Sequence, residues 1–168
     1  MKILAAVIMM LTTALLSACT DTAETDVIRT IKGYNEAAIA AYRTGTAKPL
    51  LAHAAEKEVN KVQVLVDLKT SNRLILESEL QKFDVLSSVR EADDRYDVRT
   101  KERWKYYDRP LRVGVAPGPV FIADIYLQYT VQREGESWKV QKVKAEKTDY
   151  IQGTDPAGNT GSKREKAG

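Results

Sequence analysis

The chain has 168 residues, a formal net charge of +3 at neutral pH, one histidine and one cysteine. That length supports one domain with a real core. The charge is too small to point to nucleic acid, and one cysteine excludes an intrachain disulfide. Stability must therefore come from packing. Acidic and basic residues are interspersed along the chain, as on an ordinary solvated surface.

In chain order, Met1-Lys2 gives a short positive start, and Ile3 to Leu16 is almost wholly apolar. This run is shorter than the roughly 18–20 residues that cross a bilayer, so it reads as a secretory leader over residues 1–18. Its end, Leu16-Ser17-Ala18-Cys19, resembles the lipobox of bacterial lipoproteins. The plainer alternative is an ordinary signal peptide with Cys19 incidental. The resemblance implies a diacylglycerol on the Cys19 sulfur and an acyl group on its new amine. Two or more chains give stable anchoring to the lipid bilayer where one gives only marginal binding. No thiol would then remain for redox or thiolate-metal chemistry. The residue after Cys19 is Thr20, not aspartate. In a Gram-negative envelope that implies the outer membrane, with the domain facing the periplasm. Residues 19–25 read as a short polar lipidated tether, reaching roughly 20 Å if extended.

The domain proper is expected over residues 26–150. Val27, Ile31, Tyr34, Ala38, Ala41 and Tyr42 recur at helical spacing, which predicts an amphipathic helix. Thr25 or Asp26 is its expected cap, and Gly45 its stop. A second helix is expected from Lys48-Pro49, with Leu51, Ala55, Val59, Val62 and Val66 on its apolar face and Thr70-Ser71-Asn72 at its end. Whether Asn60 breaks it into two is left open by the pattern.

From Leu74 the period changes to two. Leu74, Leu76, Ser78 and Leu80 share one face, then Phe83, Val85, Ser87 and Val89. The odd step between the sets predicts a bulge near Gln81-Lys82. After a turn at Glu91–Asp94, a second strand places Tyr96, Val98, Thr100, Glu102, Trp104 and Tyr106 on one side. Arg109 to Pro119 reads as a loop. Phe121, Ala123, Ile125, Leu127, Tyr129 and Val131 alternate in a third strand. Glu134-Gly135-Glu136 makes a hairpin turn, and Trp138, Val140, Val143 and Ala145 predict a fourth strand with another bulge. Residues 151–168 read as a disordered basic tail.

Helices followed by four antiparallel strands make the fold class α+β, with helices packed on one face of a curved sheet. The helical pair, the bent strand, Glu102-Arg103-Trp104-Lys105-Tyr106 and the closing Ser137-Trp138-Lys139-Val140 are similar to the NTF2-like superfamily from Asp26 to Thr148. They also resemble its Tim44/ARC6-type domains. A cystatin-like sheet is the alternative, with two helical segments favouring the NTF2-like cone. The resemblance implies a homodimer formed through the sheet, as NTF2-like domains often form.

Candidate site residues are few. Trp104, Tyr106 and Glu102 share a strand face and could line a pocket for an apolar ligand; filling of the core is the plainer alternative. If that face is apolar, Glu102 is a carboxylate with a raised pKa, able to act as acid or base. His53, the sole histidine, is the other candidate base, though no paired acid stands at a reliable spacing. Leu111, Val113 and Val115 give the loop an apolar character suited to a partner. Lys163-Arg164-Glu165-Lys166 could touch anionic headgroups. Trp138 reads as core. One histidine and no thiol make no metal set, no phosphate loop is present, and no cofactor is implied. The expected function is therefore an anchored envelope lipoprotein that binds an envelope protein or a small apolar ligand without catalysis. An NTF2-like isomerase or hydrolase using Glu102 or His53, and a structural spacer in an envelope complex, are the alternatives.

Overall fold

The structure is a computed structural model that describes residues 20–153. The expected leader, Cys19 and the basic cluster Lys163–Lys166 lie outside the described residues.

The first helix, α1, spans Thr20–Thr44. Val27, Ile31, Tyr34 and Ala41 are buried, with Ala38 and Tyr42 packed against them, so the expected stripe is the buried one. The helix starts earlier than the cap expected at Thr25 or Asp26. The reason is Ala23, which also packs on the core one turn before Val27 and extends the stripe backward. The six residues Thr20–Thr25 are thus helical and span about 9 Å, not the roughly 20 Å of an extended tether. At the other end Gly45 takes a φ of 80° and its N–H donates to the Ala41 carbonyl at 2.9 Å, as a glycine stop requires.

The second helical region divides, but not at Asn60. A short 3-10 helix covers Lys48–Ala52 with Pro49 in its first turn, and α2 covers Glu56–Ser71. The break falls at His53–Ala55 because this segment pairs with the edge of the sheet. The Ala55 N–H donates to the Val140 carbonyl at 3.0 Å, and the Val140 N–H donates to the His53 carbonyl at 2.8 Å. The tighter turn also shifts the phase of burial. Leu50 and Ala54 are buried, while Leu51, expected inside, is exposed. Val59, Val62 and Val66 are buried as their spacing required.

Four antiparallel strands follow in the order β1 (Leu74–Ala92), β2 (Arg95–Pro110), β3 (Phe121–Glu134) and β4 (Ser137–Gln152). The register of β1 on β2 shifts between Leu80 and Lys82, where the face of the sequence pattern flips. In β3 on β4, the shift between Thr130 and Val131 lets Val140 and Val143 of β4 oppose Val131 and Tyr129. Tyr96, Val98, Thr100 and Glu102 are buried on the face that the helices cover. The result is α+β: two helices on a curved, unclosed antiparallel sheet, consistent with the NTF2-like fold. The direction of α1 follows from its contacts. Arg43 binds Glu77 at 3.1 Å, Asn35 reaches Glu102 at 3.2 Å, and Lys32 lies 5.5 Å from the Phe83 ring. The helix thus runs from the β1–β2 turn toward the opposite end of the sheet, where the loop after β2 emerges.

Candidate functional site

Period-two alternation in β2 sends Glu102 inward, under α1. It is 0% exposed, and every polar atom around it is spoken for. The Tyr129 hydroxyl lies 2.8 Å from Oε1, and Thr100 Oγ1 lies 2.9 Å from the same oxygen. Trp104 Nε1–H donates to Oε2 at 2.9 Å, and Asn35 Nδ2 donates to Oε2 at 3.2 Å. Tyr129 also lies 3.2 Å from Asn35 Oδ1. Among the described residues no cation pairs with Glu102. Burial pushes its carboxyl above the usual range, while the bonds from Tyr129, Thr100, Trp104 and Asn35 pull it back without overcoming burial. The same burial, with the neighbouring Glu102, drives the Tyr129 phenol well above its ordinary value.

The network is braced by a second pair. Tyr34 meets Tyr129 edge to face at 6.2 Å, and its hydroxyl donates to Glu58 at 3.4 Å. Burial, and then the Glu58 charge, raise the Tyr34 phenol. Glu58 in turn pairs with Lys61 at 2.6 Å, at the solvent side of α2.

The three residues expected to line a pocket therefore separate. Glu102 and Trp104 are bonded to each other. Tyr106 belongs to another cluster, stacked on Phe121 at 5.5 Å, with Phe121 edge-on to Tyr150 at 6.4 Å. Asn35, Thr100 and Tyr129 were not singled out by sequence. Thr100 and Tyr129 carried a signal, since each alternates onto the inner face. Asn35 carried none, because it stands beside the apolar stripe of α1 rather than in it.

His53 is half-buried at the end of the 3-10 helix, not within a longer helix as its neighbours suggested. Its ring lies so close to α1 that a Cβ placed on Gly33 would sit 2.5 Å from it. Among the described residues no hydrogen bond joins His53 to Glu102. A depression of about 480 Å³ opens between the 3-10 helix and α2, lined by Lys48, Leu51, Asn60 and Gln63 among others; Glu102 is not part of it. The loop residues Leu111, Val113 and Val115 are 48%, 98% and 48% exposed. The loop is fastened at its root, where the Leu111 N–H donates to the Arg73 carbonyl at 2.9 Å. Trp138 is half-buried rather than fully enclosed, packed on the core and edge-on to Tyr96 at 5.4 Å. Among the described residues there is no group of three or more His, Cys, Asp or Glu side chains placed to hold a metal ion, and no helix is long and apolar enough to cross a membrane.

No family model matches the chain, and no curated protein matches it. Among solved structures it is similar to the intermembrane space region of the chloroplast protein ARC6, with 13% identity and a TM-score of 0.62 over 70% of this chain and 91% of that one. At that identity the likeness shows a distant relation of fold: helices packed on a curved antiparallel sheet, in the same arrangement.

Proposed function

We propose that this chain is a membrane-anchored envelope lipoprotein, held through acylated Cys19, whose NTF2-like domain binds a partner without catalysis. The observation that carries the non-catalytic reading is the closure of Glu102. A general base must offer a lone pair to substrate within hydrogen-bond reach. Both Glu102 oxygens are instead taken by protein donors, and the residue is 0% exposed. His53 is packed against Gly33. The likeness to a protein region from an intermembrane space accords with an envelope location.

Of the two kinds of occupant, a protein is favoured over a small apolar ligand. The inner face is filled around Glu102, while apolar side chains stand open on α2, on β1 and in the loop, where Val113 is the most exposed of them at 98%. Covering exposed apolar side chains with a partner removes their surface from water, which favours association. The arrangement also suits an anchor at Cys19. A helix of 25 residues spans about 37 Å, so α1 leads directly from the anchor and the loop stands near its far end, away from the bilayer.

The test is complementation of a deletion strain with folded, correctly localised variants, together with mass spectrometry of the native protein. Cys19 carries lipid, and Cys19→Ser abolishes acylation. Replacing Leu111, Val113 and Val115 together by serine impairs complementation, while Glu102→Gln and His53→Ala complement fully. An unmodified Cys19 thiol in the native protein would refute anchoring. Loss of function from Glu102→Gln alone, with the loop variant active, would refute the binding reading.

A further inference from the structure

We propose that Glu102 is held as a neutral carboxylic acid at neutral pH, and that its proton completes the hydrogen-bond network at the centre of the domain. Without that proton the cluster holds too few hydrogens for its contacts. Five close polar contacts tie the cluster together: Tyr129 to Glu102, Thr100 to Glu102, Trp104 to Glu102, Asn35 to Glu102, and Tyr129 to Asn35. Each contact needs a hydrogen between its two atoms. With Glu102 ionised, the hydrogens available are one from Thr100, one from Trp104, one from the Asn35 amide aimed at Glu102, and the single phenolic hydrogen of Tyr129. That is one short. Tyr129 cannot donate to Glu102 and to Asn35 Oδ1 at once.

A proton on Glu102 Oε1 removes the deficit. Glu102 donates to Tyr129, Tyr129 donates to Asn35 Oδ1, and Thr100, Trp104 and the Asn35 amide donate to Glu102. The count does not depend on how the Asn35 amide is turned. If its oxygen faces Glu102 instead, the amide nitrogen serves Tyr129 and Tyr129 serves Oε1. The contact between Oε2 and the Asn35 oxygen then still requires a hydrogen, and only Glu102 can supply it. An orphaned acceptor in a buried site is costly, so the network as built selects the protonated acid.

The electrostatic surroundings agree. From α1, Tyr34 faces the cluster alongside Asn35; from β3, Tyr129; from β2, Thr100 and Trp104; from β1, Phe83 stands opposite Glu102. From α2, the Glu58–Lys61 pair is linked to the cluster through Tyr34. Lys32 of α1 lies over Phe83, at the rim rather than in the cluster. Among the described residues no neighbour pairs a positive charge with the carboxyl, while burial disfavours its ionised form.

The consequence is a core whose stability falls as pH rises. An unfolded glutamate ionises near about pH 4.3. Because the folded value lies above this, the stabilisation from Glu102 is complete below about pH 4.3 and is lost as pH rises through the folded value, up to about tenfold in the folding constant per pH unit. Glutamine can replace the acid without loss of a contact. Its amide donates to Tyr129 and Thr100, and its carbonyl accepts from Trp104 and Asn35. The proposal is independent of anchoring and of partner binding.

The experiment compares denaturant unfolding of the full chain and its Glu102→Gln variant from pH 5 to 8, with infrared spectra of both. The variant is expected to gain on the wild type as pH rises, by up to about tenfold in the folding constant per unit until Glu102 ionises. The carboxylic-acid carbonyl band of buried Glu102 is expected in the wild type at neutral pH and absent from the variant. A difference that is flat or runs the other way, or a wild-type spectrum with carboxylate bands only, would overturn the proposal. If Glu102→Gln fails to fold, a pH titration of wild type carrying isotope-labelled glutamate decides by the same band.

Discussion

Gly33→Ala should destabilise the domain even though it places the best helix former inside a helix. Two effects of known sign compete. Glycine to alanine in a helix interior gains about 1 kcal/mol. The new methyl group, however, would meet the His53 ring at 2.5, 2.6 and 3.0 Å. Those distances are well inside van der Waals contact, and overpacking of this kind costs about 1–3 kcal/mol. The His53 backbone is tied to Val140 at 2.8 Å, so the ring can retreat only by turning about its own side-chain bonds, which forfeits its packing on α1. The net expectation is a loss of about 1 kcal/mol, or about 3–5 °C in melting temperature for a domain of this size. Removing the ring should reverse the sign. In a His53→Ala background the same Gly33→Ala change should stabilise by about 1 kcal/mol, giving a coupling of about 2 kcal/mol in a double-mutant cycle. Urea unfolding of the four proteins measures it. Equal stabilisation by Gly33→Ala in both backgrounds would refute the packing of His53 on α1 and reopen His53 as a free imidazole.

Two further predictions bear on the sheet. Trp138→Ala should cost about 2–3 kcal/mol, at or below the low end for a buried tryptophan, because Trp138 is half-buried and loses one edge-on contact with Tyr96 at 5.4 Å; an unchanged denaturation midpoint would place it outside the core. On the outer face Asp124 is held down to about 2, first by the hydrogen bonds from Arg103 and then with the help of Lys101. A lowered carboxyl contributes stability above its unfolded value and loses it as pH falls through the folded one. Asp124→Asn should therefore be less stable than wild type at neutral pH, with the gap closing between about pH 4 and pH 2; a gap that persists at pH 2 would deny the ion pair its role.

The secondary structure was legible because it depends on short-range geometry. A strand with one buried face must alternate, so the inner rows of β2 and β3 could be read residue by residue. The odd step between Leu80 and Phe83 announced its bulge, but a further register shift between Val85 and Ser87 leaves Val85 and Val89, expected on the same buried face, exposed. The α1 stripe was readable from short-range geometry too, and its extension to Ala23 was present in the spacing. The lipobox-like Leu16–Cys19 is also a local pattern, read from adjacent residues alone.

Contacts between distant segments were a different matter. The break at His53–Ala55 exists because those residues pair with Val140 on β4, and the phase of Leu50 over Leu51 follows from it. Glu102 could be placed on an inner face from alternation alone, but its environment could not. Asn35 stands 67 residues away in sequence and Tyr129 stands 27 away. Whether an inward glutamate meets an open cone or a closed ring of donors depends on how α1 lies across the sheet. Local periodicity identifies which side of a strand or helix is covered. Only the packed chain decides which polar atoms on those sides come within 3 Å or so of one another, and with that whether Glu102 is a base awaiting a substrate or an acid sealed into the core.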